Sequence, residues 1–372
     1  MRISDRFGRR PDSQPRAGVL GVDRGTLISA GIAVTAAGAL AAIALAAGGS
    51  ALAAAWPGAS ARLVAPDAAA TVTTPPPADG YQFVQLGSHK NRSYNELNGI
   101  NNHGRIAGYY GSGTDGHASK GYTITAPYAQ GNISSENFPK SAQTEVFGLN
   151  DNNVQVGGYS TQNKTSGADN SFGWYYNGKF HEVVYPAGNN NAKPTQDELS
   201  AVNNHNIAVG SYLNRGGRDR SYTYNIKTGK FTLVTKPGAP TGGSAPSLAA
   251  FGINDAGDVV GDYTASGGVI FGFIKLAGGA FHTIAVSGAA ETVALGINDN
   301  DTVVGAYIDG TGNSQTIHGF IWRIGGSLTT MVDDPNATGL SFIDDINNEG
   351  DIVGSYIDSH GDFDGFLAYP AF

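Results

Sequence analysis

The chain contains no cysteine, and this absence excludes several kinds of site. Its 372 residues include 0 Cys, so neither a disulfide framework nor a thiolate nucleophile is available. The sequence also has no HExxH zinc motif, no phosphate-binding glycine loop and no Ser-His-Asp signature. A domain without disulfides must be stabilised by a large apolar core, and a chain of this length can supply one.

After residue 80 the chain is also poor in runs of helix-forming Glu, Lys, Leu and Ala. It is rich instead in Gly, Asn, Tyr, Thr and Val, with 54 Gly and 17 Tyr overall, which favours short strands and tight turns. Residues 63–372 hold 16 basic and 28 acidic side chains, a net charge of −12. We therefore expect no nucleic acid and no anionic lipid surface as partner, whereas cations, sugars or basic peptides fit better.

The first 61 residues differ in composition from the rest. Six arginines precede a stretch from Thr26 to Ala61 that has no charged residue. This pattern predicts an export signal over residues 1–61 or, as the alternative, an uncleaved membrane anchor, because the apolar run is long enough to span a bilayer. Residues 62–79, which end in TVTTPPPADG, predict a Pro/Ala-rich linker. We expect a secreted or membrane-anchored extracellular protein, with the membrane touched only by the N-terminal segment.

One string recurs six times, at spacings of 44 to 53 residues. The copies are GINNHGRIAGYY (99–110), GLNDNNVQVGGY (148–159), AVNNHNIAVGSY (201–212), GINDAGDVVGDY (252–263), GINDNDTVVGAY (296–307) and DINNEGDIVGSY (345–356). Each copy has an asparagine, the motif asparagine, followed by Asn or Asp. Gly, Asn or Asp stands three residues after it, glycine seven after and tyrosine nine after. Periods of this length indicate a repeat architecture.

Each copy predicts a β-hairpin. The Asx pair and the Gly, Asn or Asp position supply the side-chain-to-backbone hydrogen bonds and the positive φ of a tight turn. The motif glycine and the motif tyrosine are two residues apart and share one face of the following strand. We expect the glycine to leave room for an aromatic ring of the next repeat.

Two further strands follow each hairpin, so the repeat has four strands. The first begins with a small residue and an aromatic one, as in Gly272-Phe273, and the second follows a glycine turn, as in TGKFTLVTKP (228–237). Four-stranded units repeated radially are propeller blades. The sixth repeat lacks its fourth strand, and YQFVQLG (81–87) precedes the first hairpin without a partner. We therefore predict an all-β fold: one six-bladed β-propeller of four-stranded antiparallel blades over residues 80–372, closed by the N-terminal strand joining the C-terminal blade.

The hairpin string INNxGxVVGxY followed by HGFIW (318–322) resembles the HAF repeat of exported bacterial proteins. The resemblance covers residues 81–372 and rests mainly on the hairpin signature. It implies a secreted, propeller-like repeat protein. It carries no catalytic residues over to this chain.

The connections of a propeller alternate between its two faces, and here the two faces differ in sequence. The Asx turns and the glycine turns lie on one face and are short and nearly constant. The other connections, such as LNRGGRDRS and TKPGAPTGGSAPS, vary widely, and we call their side the variable face. Functional residues are found more often on such loops.

Three glutamates five residues before the motif asparagine are candidates for catalysis, namely Glu96, Glu145 and Glu198. If the first strand of each blade is innermost, they ring the mouth of the central channel. Clustered carboxylates bind a cation, share a proton or act as acid and base. The alternative is that they only accept backbone hydrogen bonds.

The loops of the variable face carry the candidate ligand-binding residues. These are Asp115, His117, Asp169, Arg218, Asp219, Arg220, Asp309, His318, Asp358 and His360. The basic cluster in LNRGGRDR could grip a carboxylate or phosphate. The loop DSHGDFD resembles part of a calcium loop but lacks its remaining ligands. We expect no cofactor, with a calcium ion there as the alternative.

These observations favour an exported propeller that binds an extracellular glycan or protein through its variable face. A polysaccharide hydrolase or lyase with carboxylates at the channel mouth is the alternative, and a structural surface protein is the third. Whether the chain is an enzyme stays open. We expect a monomer.

Overall fold

The computed structural model describes residues 80–86, 94–111, 118–161, 171–186, 194, 196–214, 218–239, 246–310 and 314–371. The predicted export segment (1–61) and linker (62–79) lie outside these residues. Within the described ranges, no helix is long and apolar enough to cross a membrane.

The described residues form 24 strands in six four-stranded antiparallel sheets, which are the six blades of a β-propeller. The strands of blades 1 to 3 are β2 (Asn95–Ile100), β3 (Ile106–Tyr110), β4 (Lys120–Ile124) and β5 (Ile133–Ser135); β6 (Gln143–Leu149), β7 (Gln155–Ser160), β8 (Phe172–Tyr176) and β9 (Phe180–Val183); and β10 (Asp197–Val202), β11 (Ile207–Leu213), β12 (Asp219–Asn225) and β13 (Lys230–Val234). The strands of blades 4 to 6 are β14 (Leu248–Ile253), β15 (Val259–Thr264), β16 (Ile270–Lys275) and β17 (Phe281–Ile284); β18 (Glu291–Ile297), β19 (Thr302–Asp309), β20 (Thr316–Arg323) and β21 (Leu328–Thr330); and β22 (Ser341–Ile346), β23 (Ile352–Ile357), β24 (Phe363–Pro370) and β1 (Tyr81–Gln85). A 3-10 turn, Gln130–Asn132, precedes β5.

The N-terminal strand completes the last blade, as the sequence predicts. Strand β1 pairs antiparallel with β24, from Tyr81 opposite Pro370 to Gln85 opposite Phe366. The rings of Phe83 and Phe366 lie 5.1 Å apart across this pair. The closure joins the two ends of the domain and removes an open sheet edge.

The first strand of each blade is innermost. Each inner strand contacts the inner strands of both neighbouring blades, so that the six enclose a central channel. The apolar core lies between blades, where, for example, Val156 of blade 2 packs in one cluster with Leu199 and Tyr222 of blade 3. Complete burial of a large apolar side chain of this kind contributes roughly 1.5–3 kcal/mol.

Every inner strand has a β-bulge three residues before the motif asparagine. The pairing of β14 with β15, for instance, passes from Ala250 to Gly252 and skips Phe251. The bulge residues are Asn98, Phe147, Ser200, Phe251, Leu295 and Asp344. All six line a narrow cavity of about 80 Å³ in the channel. The repeat pattern did not single out this position, because its residue type changes from copy to copy.

The motif glycine is required by the bulge. A Cβ atom at Gly261 would lie 1.9 Å from the carbonyl oxygen of Ala249, and one at Gly210 would lie 2.0 Å from that of Glu198. Both contacts are with the backbone of the glycine's own blade. The expectation that this glycine leaves room for a ring of the next repeat is therefore wrong.

The Asx turns have the predicted geometry. In the fifth copy, Asn298 Oδ1 accepts hydrogen bonds from the N–H groups of Asn300 and Thr302, each at 3.0 Å. The residue three after the motif asparagine, Asp301, has a φ of 58°. Asp299 and Asp301 of GINDNDTVVGAYID thus lie in a folded turn, where their role is to shape the backbone.

The six turns also bind to one another, which the sequence pattern did not predict. The Nδ2 of each motif asparagine donates to the backbone carbonyl of the next one at 2.9–3.4 Å, and the last bond runs from Asn347 back to Asn101. In a second ring, the N–H of the following Asn or Asp donates to Oδ1 of its counterpart at 2.7–2.9 Å. Two closed rings of hydrogen bonds therefore join all six blades at this face.

Candidate functional site

The three candidate catalytic glutamates are buried. Glu96, Glu145 and Glu198 are 0%, 3% and 8% exposed. The carboxylate of Glu96 accepts hydrogen bonds from the hydroxyls of Tyr94 and Tyr109 and from Asn98 Nδ2. These partners leave little of the carboxylate available to a substrate.

Burial sets the protonation of these groups. It raises the pKa of Glu96, against the effect of the hydroxyl and amide donors. It also raises the pKa of Glu145 well above its usual range, and the charge of Glu198 adds to the rise. Low polarity disfavours the ionised form of a carboxyl group, which is the cause of the raised pKa at Glu96 and Glu145.

Asp344, the bulge residue of β22, adds a buried acid in blade 6 and, unlike the three glutamates, lines the narrow cavity of the channel. It is buried, and its Oδ2 has no hydrogen-bond partner among the described residues. Burial and then the charge of Glu96 raise its pKa well above the usual range. The sequence analysis missed this residue, although DDINNEG is the only copy with an acid at the bulge.

The other half of the channel is apolar. In blades 4 and 5 the positions equivalent to Glu96 are Ala249 and Val293, which pack in one cluster with Phe251 and Leu295. None of the three glutamates lines the narrow cavity or the pocket described below. The hydrolase or lyase hypothesis requires two carboxyl groups in an open pocket, and these buried positions give it no support.

Several candidate ligand-binding residues of the variable face have other roles. Asp115, His117 and Asp169 lie outside the described residues. Asp309 is exposed, and its Oδ1 accepts the N–H of Gly310 at 2.7 Å, which shapes the turn after β19.

His318 is held by two neighbours. Its Nδ1 lies 2.6 Å from Asp333 Oδ2, and its Nε2 lies 2.8 Å from Thr316 Oγ1. The hydrogen bond with Asp333 raises the pKa of His318 despite its partial burial. Both ring nitrogens are engaged within blade 5, which indicates a structural role.

The loop DSHGDFD forms an Asx turn of the same kind as the repeat. Asp358 Oδ1 accepts the N–H groups of His360 and Asp362 at 2.8 and 2.9 Å, and Gly361 has a φ of 83°. The hydrogen bond with His360 lowers the pKa of Asp358 and raises that of the exposed histidine. The alternating acids that resemble part of a calcium loop therefore organise a hairpin. In the part of the chain that the structure describes, no group of three or more His, Cys, Asp or Glu side chains could hold a metal ion.

The basic cluster of blade 3 divides into two roles. Arg220 Nη1 donates to the carbonyls of Asp219 and Pro246 at 2.7 and 2.9 Å. Asp219 binds Ser247, since its N–H donates to the Oγ and its Oδ2 accepts from it, at 3.0 and 2.8 Å. These bonds fasten blade 3 to the chain that enters blade 4. Arg218 is exposed and lies at the rim of a pocket.

This pocket is open, has a volume of about 690 Å³ and lies between blades 3 and 4 on the variable face. Its walls come from the β11–β12 loop, from both ends of the β13–β14 connection and from the β15–β16 hairpin. The described lining residues are Arg218, Lys236, Pro237, Gly238, Ala239, Pro246, Ser247, Tyr263, Thr264, Ala265 and Ser266. Its size is within the range of small-molecule sites, ~300–1,000 Å³.

The pocket lies where the connection between blades departs from the pattern of the others. Four connections start with the same four-residue turn, in which the N–H of the fourth residue donates to the carbonyl of the first at 2.9–3.2 Å: FPKS (138–141), KPGA (236–239), VSGA (286–289) and DPNA (334–337). At other boundaries the N–H of the first residue is bound by a side chain of the next inner strand, in the pairs Phe138–Thr144, Tyr185–Asp197, Val286–Thr292 and Asp334–Ser341. In blade 4, the position of these acceptors on the inner strand is occupied by Leu248. Its side chain cannot accept a hydrogen bond from the N–H of Lys236.

The side chain of the first residue of each connection also differs between boundaries. It covers the motif tyrosine of the next blade with an aromatic ring in two cases, Phe138 on Tyr159 at 3.8 Å and Tyr185 on Tyr212 at 4.3 Å. At the blade 3–4 boundary Lys236 takes this place, with its Nζ 3.7 Å from the ring centroid of Tyr263. A cation over an aromatic face is a favourable contact. The boundary therefore has a positive charge where two other boundaries have an aromatic ring.

Of the predicted residues, the structure brings Arg218, Asp219 and Arg220 to this pocket or its edge. The variable length of TKPGAPTGGSAPS pointed to this connection, but no sequence motif singled out Lys236 or Tyr263. The signal was present in the sequence, because Lys236 aligns with Phe138 and Tyr185, each followed by proline.

No protein-family model matches the chain, and no curated protein matches it. Solved structures similar to it are β-propellers. AofleA from Arthrobotrys oligospora is 12% identical, with a TM-score of 0.44 over 77% of this chain and 86% of that one. The propeller domain of the Trilobed protease from Pyrococcus furiosus is 7% identical, with a TM-score of 0.42 over 74% and 84%. An Aleuria aurantia lectin in complex with Fucalpha1-6GlcNAc is 11% identical, with a TM-score of 0.41 over 74% and 91%. Similarity at this level concerns the fold only.

Proposed function

We propose that the chain is an exported propeller that binds an extracellular glycan through its variable face. The observation that carries this proposal is the open pocket of about 690 Å³ between blades 3 and 4. It lies at the boundary where Leu248 replaces the side-chain acceptor of other boundaries and Lys236 replaces the aromatic ring that Phe138 and Tyr185 supply. Export is inferred from the composition of residues 1–61.

The lining of the pocket supports a sugar rather than a protein surface as ligand. Apolar walls with a few polar groups suit a small unit that is enclosed on several sides. Protein partners bury roughly 800 Å² on each side, usually on flatter surfaces. A protein ligand is therefore the less favoured of the two partners expected from the sequence.

The test is an array of plant, algal and bacterial glycans probed with the purified full-length chain, with product analysis on every polysaccharide that binds. We expect retention of a defined glycan without cleavage products. Products would instead support the hydrolase or lyase hypothesis. No binding to any glycan would overturn the proposal.

A pair of matched variants locates the site. Ser266→Trp places a large ring at the exposed rim of the pocket, and Ser287→Trp makes the same change in the exposed connection between blades 4 and 5. We expect the first to abolish glycan binding and the second to leave it unchanged. Equal binding by both variants would place the site elsewhere.

A further inference from the structure

We infer that the pocket between blades 3 and 4 selects an anionic saccharide, a sugar residue that carries a carboxylate or sulfate group. This inference rests on the proposed function and adds the chemical class of the ligand. It follows from the charges that line the pocket and from the repeat position that Lys236 occupies.

The lining carries positive charge on an acidic domain. Lys236 and Arg218 are its charged members, and no Asp or Glu is among the described lining residues. In the described chain, no carboxylate lies within ion-pair distance of Lys236, whose Nζ rests on the rings of Tyr263 and Phe281. An ammonium group held by ring contacts alone can still form a charge-assisted hydrogen bond with an incoming anion.

The two nearby acids, Asp219 and Asp262, are not among the lining residues of the pocket. The carboxylate of Asp219 is bonded to Ser247 Oγ, and burial raises its pKa. Burial and the charges of Asp219 and Glu291 raise the pKa of Asp262, on the adjacent strand β15, to about 8. A carboxyl group with that pKa is mostly neutral at pH 7. With two cations and no carboxylate among its described lining residues, the pocket favours an anion.

The remaining walls suit a sugar ring better than an acidic peptide. The lining combines hydroxyls on Ser247, Thr264 and Ser266 with apolar surface on Pro237, Ala239, Pro246 and Ala265. A sugar presents C–H faces and hydroxyl edges to such a surface. An extended peptide would need backbone pairing with a free strand edge, and the pocket has none among its described lining residues.

Binding is tested by calorimetry with the full chain and three matched probes: oligogalacturonate, a sulfated galactan oligosaccharide and a neutral galactan oligosaccharide. We expect one of the anionic probes, or both, to bind at least about tenfold more tightly than the neutral one, because a charge-assisted hydrogen bond is stronger than a neutral one. Which anionic probe binds identifies the group as carboxylate or sulfate. The binding should weaken as salt is raised from 50 to 500 mM, concentrations chosen for the assay to screen exposed charges.

Two variants and two controls assign the effect to the pocket. Lys236→Met keeps the apolar stem of the side chain on Tyr263 and removes the charge, and Arg218→Gln removes the second cation. Each should lower affinity for the anionic probe about ten- to hundredfold and leave neutral-glycan binding unchanged. Lys227→Met and Arg323→Gln remove exposed cations from the opposite face and should change neither.

The outcomes separate this inference from the proposed function. A neutral glycan bound as tightly as the anionic probes, with no effect of Lys236→Met, would overturn the anionic class and leave the glycan-binding function intact. Oligoglutamate bound with the same dependence on Lys236, in place of any saccharide, would overturn the saccharide class. Failure to bind every glycan of the array would overturn the function itself.

Discussion

The two faces of this propeller use the same local structure for different ends. On one face six Asx turns are joined into two closed rings of hydrogen bonds. On the variable face the same turn recurs at Asp358, where the carboxylate binds only its own hairpin. The turn is thus a general device for reversing a strand. Where six copies lie close together, the turns also bind one another and so join the six blades.

A second contrast concerns the boundaries between blades. Where the pattern is kept, a ring such as Phe138 or Tyr185 covers the motif tyrosine and the connection is bound to the next blade. At the blade 3–4 boundary Lys236 replaces the ring and Leu248 replaces the acceptor, and an open pocket lies there. The candidate site thus lies at a boundary that keeps the shared turn but has neither the ring nor the side-chain acceptor.

The largest effect is expected from Gly261→Ala, which tests whether the inner hairpin tolerates any side chain. A Cβ atom there would lie 1.9 Å from Ala249 O, so the bulge or the strand must shift. We expect a loss of at least about 4 kcal/mol in the free energy of unfolding, or failure to fold. The control is Gly278→Ala, in the same blade but outside the hairpin, where a Cβ would meet nothing within 4 Å. Urea unfolding gives both values, and a small loss at Gly261 would contradict the steric argument.

The next effect compares the same turn on the two faces. Asn298→Ala removes the acceptor for two N–H groups and the bond to Asn347 O at 2.9 Å, all at a buried position. We expect a loss of about 2–4 kcal/mol. Asp358→Ala removes two similar bonds at the variable face and should cost only about 1 kcal/mol. Equal losses in urea unfolding would show that the rings between blades add nothing to the turn.

The fold could be predicted closely from the sequence because the hairpin motif and the strands that follow it are repeated six times. The hairpin signal, the strand count and the unpaired strand at residues 81–87 all agreed on a closed ring of six. The two hydrogen-bonded rings escaped prediction because the relevant bonds join residues 44 to 53 positions apart, or 246 where the ring closes. The bulge escaped because its residue varies from Asn98 to Phe251 to Asp344.

The candidate site was predicted only in part. Charged residues in variable loops drew attention to Arg218 and also to Asp309, His318 and Asp358, which the structure engages in turns and hydrogen bonds. Residue type alone does not tell whether a polar group is already satisfied. Lys236 was not predicted because it stands out only when it is compared with Phe138 and Tyr185, the residues at the equivalent position of other blades.

The third prediction concerns pH and compares the acidic half of the channel with the apolar half. The pKa of Asp344 is raised in the folded state by burial and by Glu96. As pH rises above the ordinary value of about 4, the unfolded chain ionises first, so this group lowers stability progressively until its folded pKa is passed. Asp344→Leu gives blade 6 the residue of Leu295 and should remove this loss. We expect the variant to gain about 1–3 kcal/mol over the parent at pH 8 and little or nothing at pH 4.

Urea unfolding in assays at pH 4, 6 and 8 measures this difference. Asp309→Asn, which changes an exposed carboxylate on the variable face, is the control and should leave the pH profile of the parent unchanged. A gain at Asp344→Leu that is the same at every pH would show that the benefit comes from packing rather than from the titration of a buried carboxyl.

The smallest effect on stability is expected from a variant that makes the blade 3–4 boundary resemble the blade 2–3 boundary. Lys236→Tyr gives the blade 3–4 boundary the residue that Tyr185 provides one blade earlier, with Pro237 already in place after it. The new ring should stack on Tyr263 as Tyr185 stacks on Tyr212, and an aromatic pair contributes about 0.5–1.5 kcal/mol. We expect a slightly higher urea midpoint together with the loss of anionic-glycan binding. A variant that stays as stable as the parent and still binds the glycan would show that the lysine is not what distinguishes this boundary from the others.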